Sequence, residues 1–114
     1  MVEFFVSGSP VPKQSYRHSR KGGYLPKRVK DWQELVGWTA RSRHRGEPYR
    51  GKVQIDLQFY LHDKRKRDLD NLSKAILDSI EGIIIEDDVQ VDKLYIERYF
   101  NSDNPGVMIT VKEL

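Results

Sequence analysis

Val53-Gln54-Ile55-Asp56-Leu57-Gln58-Phe59-Tyr60-Leu61 alternates apolar and polar side chains without a break, and Lys52 before it keeps the pattern. Period-two alternation over this length predicts a strand with one face against a core and the other wet. Directly after it come His62-Asp63, four consecutive bases (Lys64, Arg65, Lys66, Arg67) and then Asp68-Leu69-Asp70-Asn71-Leu72-Ser73-Lys74. Here the period changes. Leu69, Leu72, Ile76, Ile80 and Ile83 recur at helical spacing, which predicts a helix that starts near Asp68–Asp70 and closes at Gly82. The charged junction therefore sits at a strand's C-terminal end, a place where sheets covered by helices tend to hold ligands.

Working outward toward the N-terminus, Pro26 suits the first turn of a helix from about 26 to 44, with Val29, Trp32, Val36 and Ala40, and Leu35 and Thr39 beside them, on one face. Its last turn is basic (Arg41, Arg43, His44, Arg45) and Gly46 ends it, as a helix C-terminus favours. Ahead of it, Ser9-Pro10-Val11-Pro12 breaks regular structure, and residues 8–25 read as a long basic loop. Val2, Phe4 and Val6 alternate with Glu3, Phe5 and Ser7 as a first strand.

Toward the C-terminus, Glu86-Asp87-Asp88 follows the apolar run Ile83-Ile84-Ile85. After Asp92 the chain reads as a hairpin: Leu94, Ile96 and Phe100 on one face of one strand, a turn over residues 101–106, then Val107, Ile109 and Val111 in the last strand. The order β-α-β-α-β-β in a single small domain spanning 1–114 predicts an α+β fold, with two helices on a mixed or antiparallel sheet.

Composition narrows the chemistry. The 114 residues contain no cysteine, which excludes disulfides, thiolate catalysis and zinc-thiolate sites. The start of the chain lacks the basic flank and apolar run of a leader, and no stretch approaches the ~20 apolar residues of a membrane span; the expectation is a soluble cytoplasmic protein without membrane partners. Net charge is only +3, but its distribution is uneven. Lys13 to Lys30 holds seven bases (Lys13, Arg17, Arg20, Lys21, Lys27, Arg28, Lys30) and no acid, with Tyr16 and Tyr24 interleaved. Asp68 to Asp92 holds eight acids against the single base Lys74. A basic segment suits phosphate contacts, and a gathering of carboxylates in a polyanion-binding protein is most simply explained by a divalent cation.

Asp68, Asp70 and one of Asp87 or Asp88 would suffice for a hard cation such as Mg²⁺, which takes oxygen ligands and keeps waters for reaction. Other metals fit poorly. As a calcium loop counted from Asp68, position six would be Ser73 and position twelve Ser79 rather than Gly and Glu. His18, His44 and His62 stand singly, without the spacing of a zinc site. Each acid also has a plain structural reading: Asp68 or Asp70 as a helix cap, Asp70 with Lys74 as an exposed i,i+4 pair, Asp78 and Glu81 as solvated helix surface.

Taken together, Arg67-Asp68-Leu69-Asp70-Asn71-Leu72-Ser73-Lys74-Ala75, Glu86-Asp87-Asp88-Val89-Gln90-Val91 and the early Ser9-Pro10-Val11-Pro12-Lys13-Gln14 resemble the RusA family of Holliday-junction resolvases. The resemblance spans most of the chain. It implies a RusA-like fold and an Mg²⁺-dependent endodeoxyribonuclease, with Mn²⁺ able to substitute and no small-molecule cofactor. It also implies a homodimer that binds branched DNA and nicks a four-way junction at paired, symmetric positions in recombination and repair. Many such proteins are prophage-encoded. The implied catalytic set is Asp68, Asp70, Asp88 and Lys74, with Asp68, Asp70 and Asp88 as metal ligands and Asp87 a further candidate. Arg67 and Asn71 would join Lys13, Arg17, Arg20, Lys21, Lys27, Arg28 and Lys30 on phosphate. Glu86 stands where the type member carries a hydrophobic residue, which leaves the division of roles among Glu86, Asp87 and Asp88 open. A nuclease for flaps or other branched DNA, and a non-catalytic nucleic-acid-binding domain, are the alternatives.

Overall fold

The computed structural model describes residues 1–13, 25–65, 67–100 and 102–114. Its elements are β1 (Val2–Ser7), α1 (Lys27–Arg43), β2 (Val53–Tyr60), α2 (Leu69–Ile80), β3 (Val91–Tyr99) and β4 (Gly106–Glu113), with a short 3₁₀ turn at Asp88–Gln90. The order β-α-β-α-β-β and the α+β class are as the alternation patterns predict. The basic stretch containing Arg17, Arg20 and Lys21, and Lys66 in the junction, lie outside the described residues.

β2 sits inside a four-stranded sheet of order β1-β4-β2-β3. Val53, Ile55, Leu57 and Phe59 are almost completely buried, because two neighbours cover the strand's edges and two helices cover one of its faces. β4 runs antiparallel to β2 with Ile109 opposite Leu57, and β1 runs antiparallel to β4 with Phe4 opposite Ile109. From α1, Trp32, Val36 and Ala40 enter the core; from α2, Leu72, Ala75, Ile76 and Ile80 do. Val29, Trp32, Val36 and Ala40 on the predicted α1 face are buried, whereas Leu35, expected beside them, lies at the margin of that face and stays 43% exposed.

β3 and β4 do not form the expected hairpin. β3 lies on the far edge, parallel to β2 with Ile96 opposite Leu57, and β2 separates it from β4. The reason is the demand for an interior strand. β4 offers Val107, Ile109 and Val111, all fully buried, whereas β3 carries Asp92, Lys93, Glu97 and Arg98, and an interior position would bury their charges. β2, α2 and β3 thus form a crossover unit, in which α2 spans the sheet from the end of β2 to the start of β3.

Gly106 opens β4 opposite Ser7 of β1. The Phe5 ring lies over it and reaches Tyr60 at 6.2 Å between centroids, and Tyr60 stacks on Tyr99 at 5.2 Å. A side chain at 106 would meet both the Phe5 ring and the Val6 carbonyl.

Candidate active site

The acidic turn after α2 is built by a chain reversal. Helix α2 ends at Ile80, Glu81 leaves it with extended backbone, and Gly82 turns in the left-handed region at φ 83°. Ile84 and Ile85 then drop into the core and pin the returning chain, with the Tyr49 N–H donating to the Ile84 carbonyl at 2.8 Å. Glu86-Asp87-Asp88 is thereby carried back beside Glu81.

Gln90, nearly buried, fixes this turn from below. Its Oε1 accepts from the N–H groups of Glu86 (2.7 Å) and Asp87 (2.9 Å), and its Nε2 donates to the carbonyls of Tyr49 (2.7 Å) and Gly51 (2.8 Å). Asp87 closes a capping box with it, accepting from the Val89 N–H at 3.0 Å. The turn is therefore tied to the segment leading into β2 and is not a loose surface loop.

Carboxylate oxygens of Glu81, Asp87 and Asp88 all lie within 4.8 Å of one another, and all three residues are exposed. The Asp88 N–H also donates to Glu81 Oε1 at 3.3 Å. A hydrogen bond with Asp87 pushes the Asp88 carboxyl above the ordinary carboxylate value, with desolvation and the charges of Asp87 and Asp78 adding to it. Asp87 moves the opposite way, held down chiefly by the Val89 N–H. Two carboxylates this close repel each other, and a divalent ion would relieve that repulsion. All-oxygen donors with an open side fit a hard cation.

Asp68 and Asp70 stand at the other end of α2. From Asp70 to Glu81 the helix advances about 16 Å, at 1.5 Å per residue. One chain therefore does not gather Asp68, Asp70 and Asp88 around a single ion as the sequence suggests: the helix between them is too long, and Glu81 takes the third place beside Asp88. The structural readings of the two aspartates also fail. Asp68 occupies the N-cap position but its side chain accepts no capping hydrogen bond, and Asp70 makes no ion pair with Lys74 among the described residues. Asp68, Asp70 and Lys74 are exposed and available.

The other predicted residues divide. Arg67 is tucked in with its guanidinium on Asp63 Oδ1 at 2.9 Å, which lowers the Asp63 pKa, and its carbonyl accepts from Arg98 at 2.7 Å. It fixes a carboxylate of the junction rather than facing solvent. Lys13 spends its ammonium on Asp78 at 2.6 Å, and its N–H donates to the Asn71 carbonyl at 2.9 Å. Lys27, Arg28 and Lys30 are exposed at the start of α1. Sequence reasoning missed Glu81 and Gln90. Gly82 immediately after Glu81, and the D-x-x-Q spacing of Asp87 and Gln90, are the signals that could have found them.

Comparison with known proteins agrees with the motifs. The family model described as "Endodeoxyribonuclease RusA" matches residues 7–112. A curated relative, the crossover junction endodeoxyribonuclease RusA of Aquifex aeolicus, is 28% identical over 97% of this chain and 90% of its own length. The uncharacterized protein YqaN of Bacillus subtilis is 27% identical over 99% of this chain and 96% of its own. With the match running from the end of β1 to the end of β4, the chain belongs to the RusA endodeoxyribonuclease family.

Proposed function

We propose that this protein is an Mg²⁺-dependent endonuclease that resolves four-way DNA junctions by paired nicks, acting as a homodimer. The observation that carries the reading is the acidic turn, Glu81, Asp87 and Asp88 held rigidly by Gln90, at the far end of the helix that opens with Asp68-Leu69-Asp70-Asn71. When bound, a divalent cation supplies Lewis-acid polarisation of a phosphate oxygen and a more acidic water. Asp88, with Glu81 and Asp87 beside it, would hold such an ion. Lys74, exposed on the outer face of α2 between the two acidic ends, would meet the charge that develops on the phosphate.

The length of α2 bears on the oligomer. In a two-fold dimer whose α2 helices run in opposite directions side by side, Asp68 and Asp70 of one copy approach Asp88 of the other. Two equivalent sites then face the two-fold symmetric strands of a junction. Lys27, Arg28 and Lys30, with the basic residues before them in sequence, would hold the arms through phosphate contacts that weaken as salt rises.

The test is cleavage of a synthetic four-way junction, a flap and a linear duplex, with Mg²⁺ and with chelator. Symmetric, religatable nicks confined to the junction and abolished by chelator are expected, with Asp70→Asn and Asp88→Asn binding the junction without cutting it. Equal cutting of flap or linear duplex would refute the junction assignment. Full cutting by both variants would refute the site.

A further inference from the structure

β3 is nine residues long, forms the outer edge of the sheet, and has no buried residue. Leu94, Tyr95 and Tyr99 are 39%, 55% and 43% exposed. Natural sheets rarely leave so long an edge open, because its free N–H and C=O groups template pairing with another strand. The question is which strand.

A second copy of this chain fits by symmetry. When a strand pairs antiparallel with its own copy about a two-fold axis normal to the sheet, residues opposite each other point to the same face. Consecutive side chains point to opposite faces, so the axis must pass through a residue position and cannot fall between two. That leaves a short set of registers. With the axis at Tyr95, Asp92 faces Arg98, Lys93 faces Glu97, Leu94 faces Ile96, and Tyr95 faces itself. Every charge meets its opposite, Leu94 and Ile96 meet each other, and Val91 meets the Tyr99 ring, twice over. With the axis at Leu94, Asp92 faces Ile96, Lys93 faces Tyr95 and Glu97 faces Val91. With the axis at Ile96, Leu94 faces Arg98, Lys93 faces Tyr99 and Tyr95 faces Glu97. Neither alternative matches a single charged pair.

We propose that β3 is the dimer interface: two copies join their β3 edges antiparallel about a two-fold axis at Tyr95, making one continuous eight-stranded sheet. The proposal deepens the homodimer reading above and rests on it. Asp92 lies 3.5 Å from Lys52 in an exposed pair, and Arg98 uses one N–H on the Arg67 carbonyl, so both retain hydrogen-bonding capacity toward a partner. The antiparallel arrangement also lays the Asp88 end of β3 beside the Arg98 end of the second copy, where Arg98 holds the residue before Asp68.

The absence of cysteine makes the test direct. Tyr95→Cys is placed opposite itself at about 4.5–5.5 Å between Cα atoms, within disulfide reach. Mild oxidation is expected to give a linked species of twice 13.4 kDa, whereas Lys30→Cys on α1 stays unlinked. Lys93→Glu and Glu97→Lys each set like charges opposite one another twice, and each should raise the dimer dissociation constant by roughly tenfold or more. The double variant restores the pairing and should return it close to the parent value. An unlinked Tyr95→Cys in a chain that is still dimeric, or a double variant no better than the singles, overturns this interface. A chain that stays monomeric at every concentration overturns the dimer as well. Junction cleavage is scored separately, so a linked dimer that cuts nothing refutes the nuclease reading and leaves the interface standing.

Discussion

Gln90→Ala should both destabilise the fold and loosen the acidic turn. The wild-type side chain makes four hydrogen bonds, two accepted from Glu86 and Asp87 and two donated to Tyr49 and Gly51. Each contributes about 1 kcal/mol net, and the exposed turn can recover part of the loss by bonding water, so the change should cost about 3 kcal/mol. In a chain of 114 residues this lowers Tm by about 10–15 °C. The second readout is more specific. Mg²⁺ at ten times its dissociation constant should add about 1.4 kcal/mol to the parent, and that increment should shrink in the variant as Glu81, Asp87 and Asp88 lose their common frame. Thermal unfolding with and without Mg²⁺ measures both. A Tm within about 2 °C of the parent would refute the clamp. A full loss of stability with the Mg²⁺ increment intact would show that Gln90 supports the fold without positioning the acids.

Glu81→Gln should weaken the same Mg²⁺-dependent rise in Tm while leaving metal-free stability near the parent, since Glu81 is exposed; an unchanged increment would remove Glu81 from the site. The raised Asp88 pKa favours the protonated folded state, so its contribution to stability is present at low pH and is lost as pH climbs through that raised value. Asp87, held low, contributes in the opposite sense, with stability lost as pH falls through its own value. The Mg²⁺ increment should therefore grow with pH as Asp88 ionises, and an increment that does not change with pH would contradict the raised Asp88 pKa. Gly106→Ala should cost about 1–3 kcal/mol in urea unfolding, because the added methyl meets the Phe5 ring and the Val6 carbonyl. Phe5→Ala should relieve this only in part, because the carbonyl stays.

The fold was legible where one side-chain pattern maps onto one neighbour. β2 alternates over its whole length, and α1 presents Val29, Trp32, Val36 and Ala40 to a single surface, so period alone placed both. The arrangement of β3 and β4 was not legible from period, because alternation identifies a strand without naming its partner. The turn between them suggests a hairpin, and what overrides it is the difference between Val107, Ile109 and Val111 on one strand and four charges on the other. The site shows the same division. Residue types marked the acids, but distance along a helix set which of them meet: Glu81 reaches Asp88 through Gly82, and Asp70 does not. Arg67 also looked like a phosphate contact, although Asp63 four residues earlier was the nearer charge.

The charge order along the exposed face of α2 explains why the site needs more than its acids. Asp70, Lys74, Asp78 and Glu81 follow at four-, four- and three-residue steps and form one stripe. Left alone, three carboxylates and one ammonium would repel a phosphodiester. Lys13, reaching in from the segment after β1, neutralises Asp78 at 2.6 Å and leaves Lys74 as the stripe's cation next to Asp70. Asp78 is also one of the charges that raise the Asp88 pKa, and a cation paired with Asp78 should offset part of that push. Removing the Lys13 charge should therefore make Asp88 still harder to ionise and weaken cation binding, although Lys13 is not itself a ligand. Lys13→Met, which keeps most of the aliphatic stem, isolates that electrostatic effect. If the pH at which the Mg²⁺ increment appears stays where it is in the parent, the Lys13–Asp78 pair is a local tether only, and the coupling along α2 is absent.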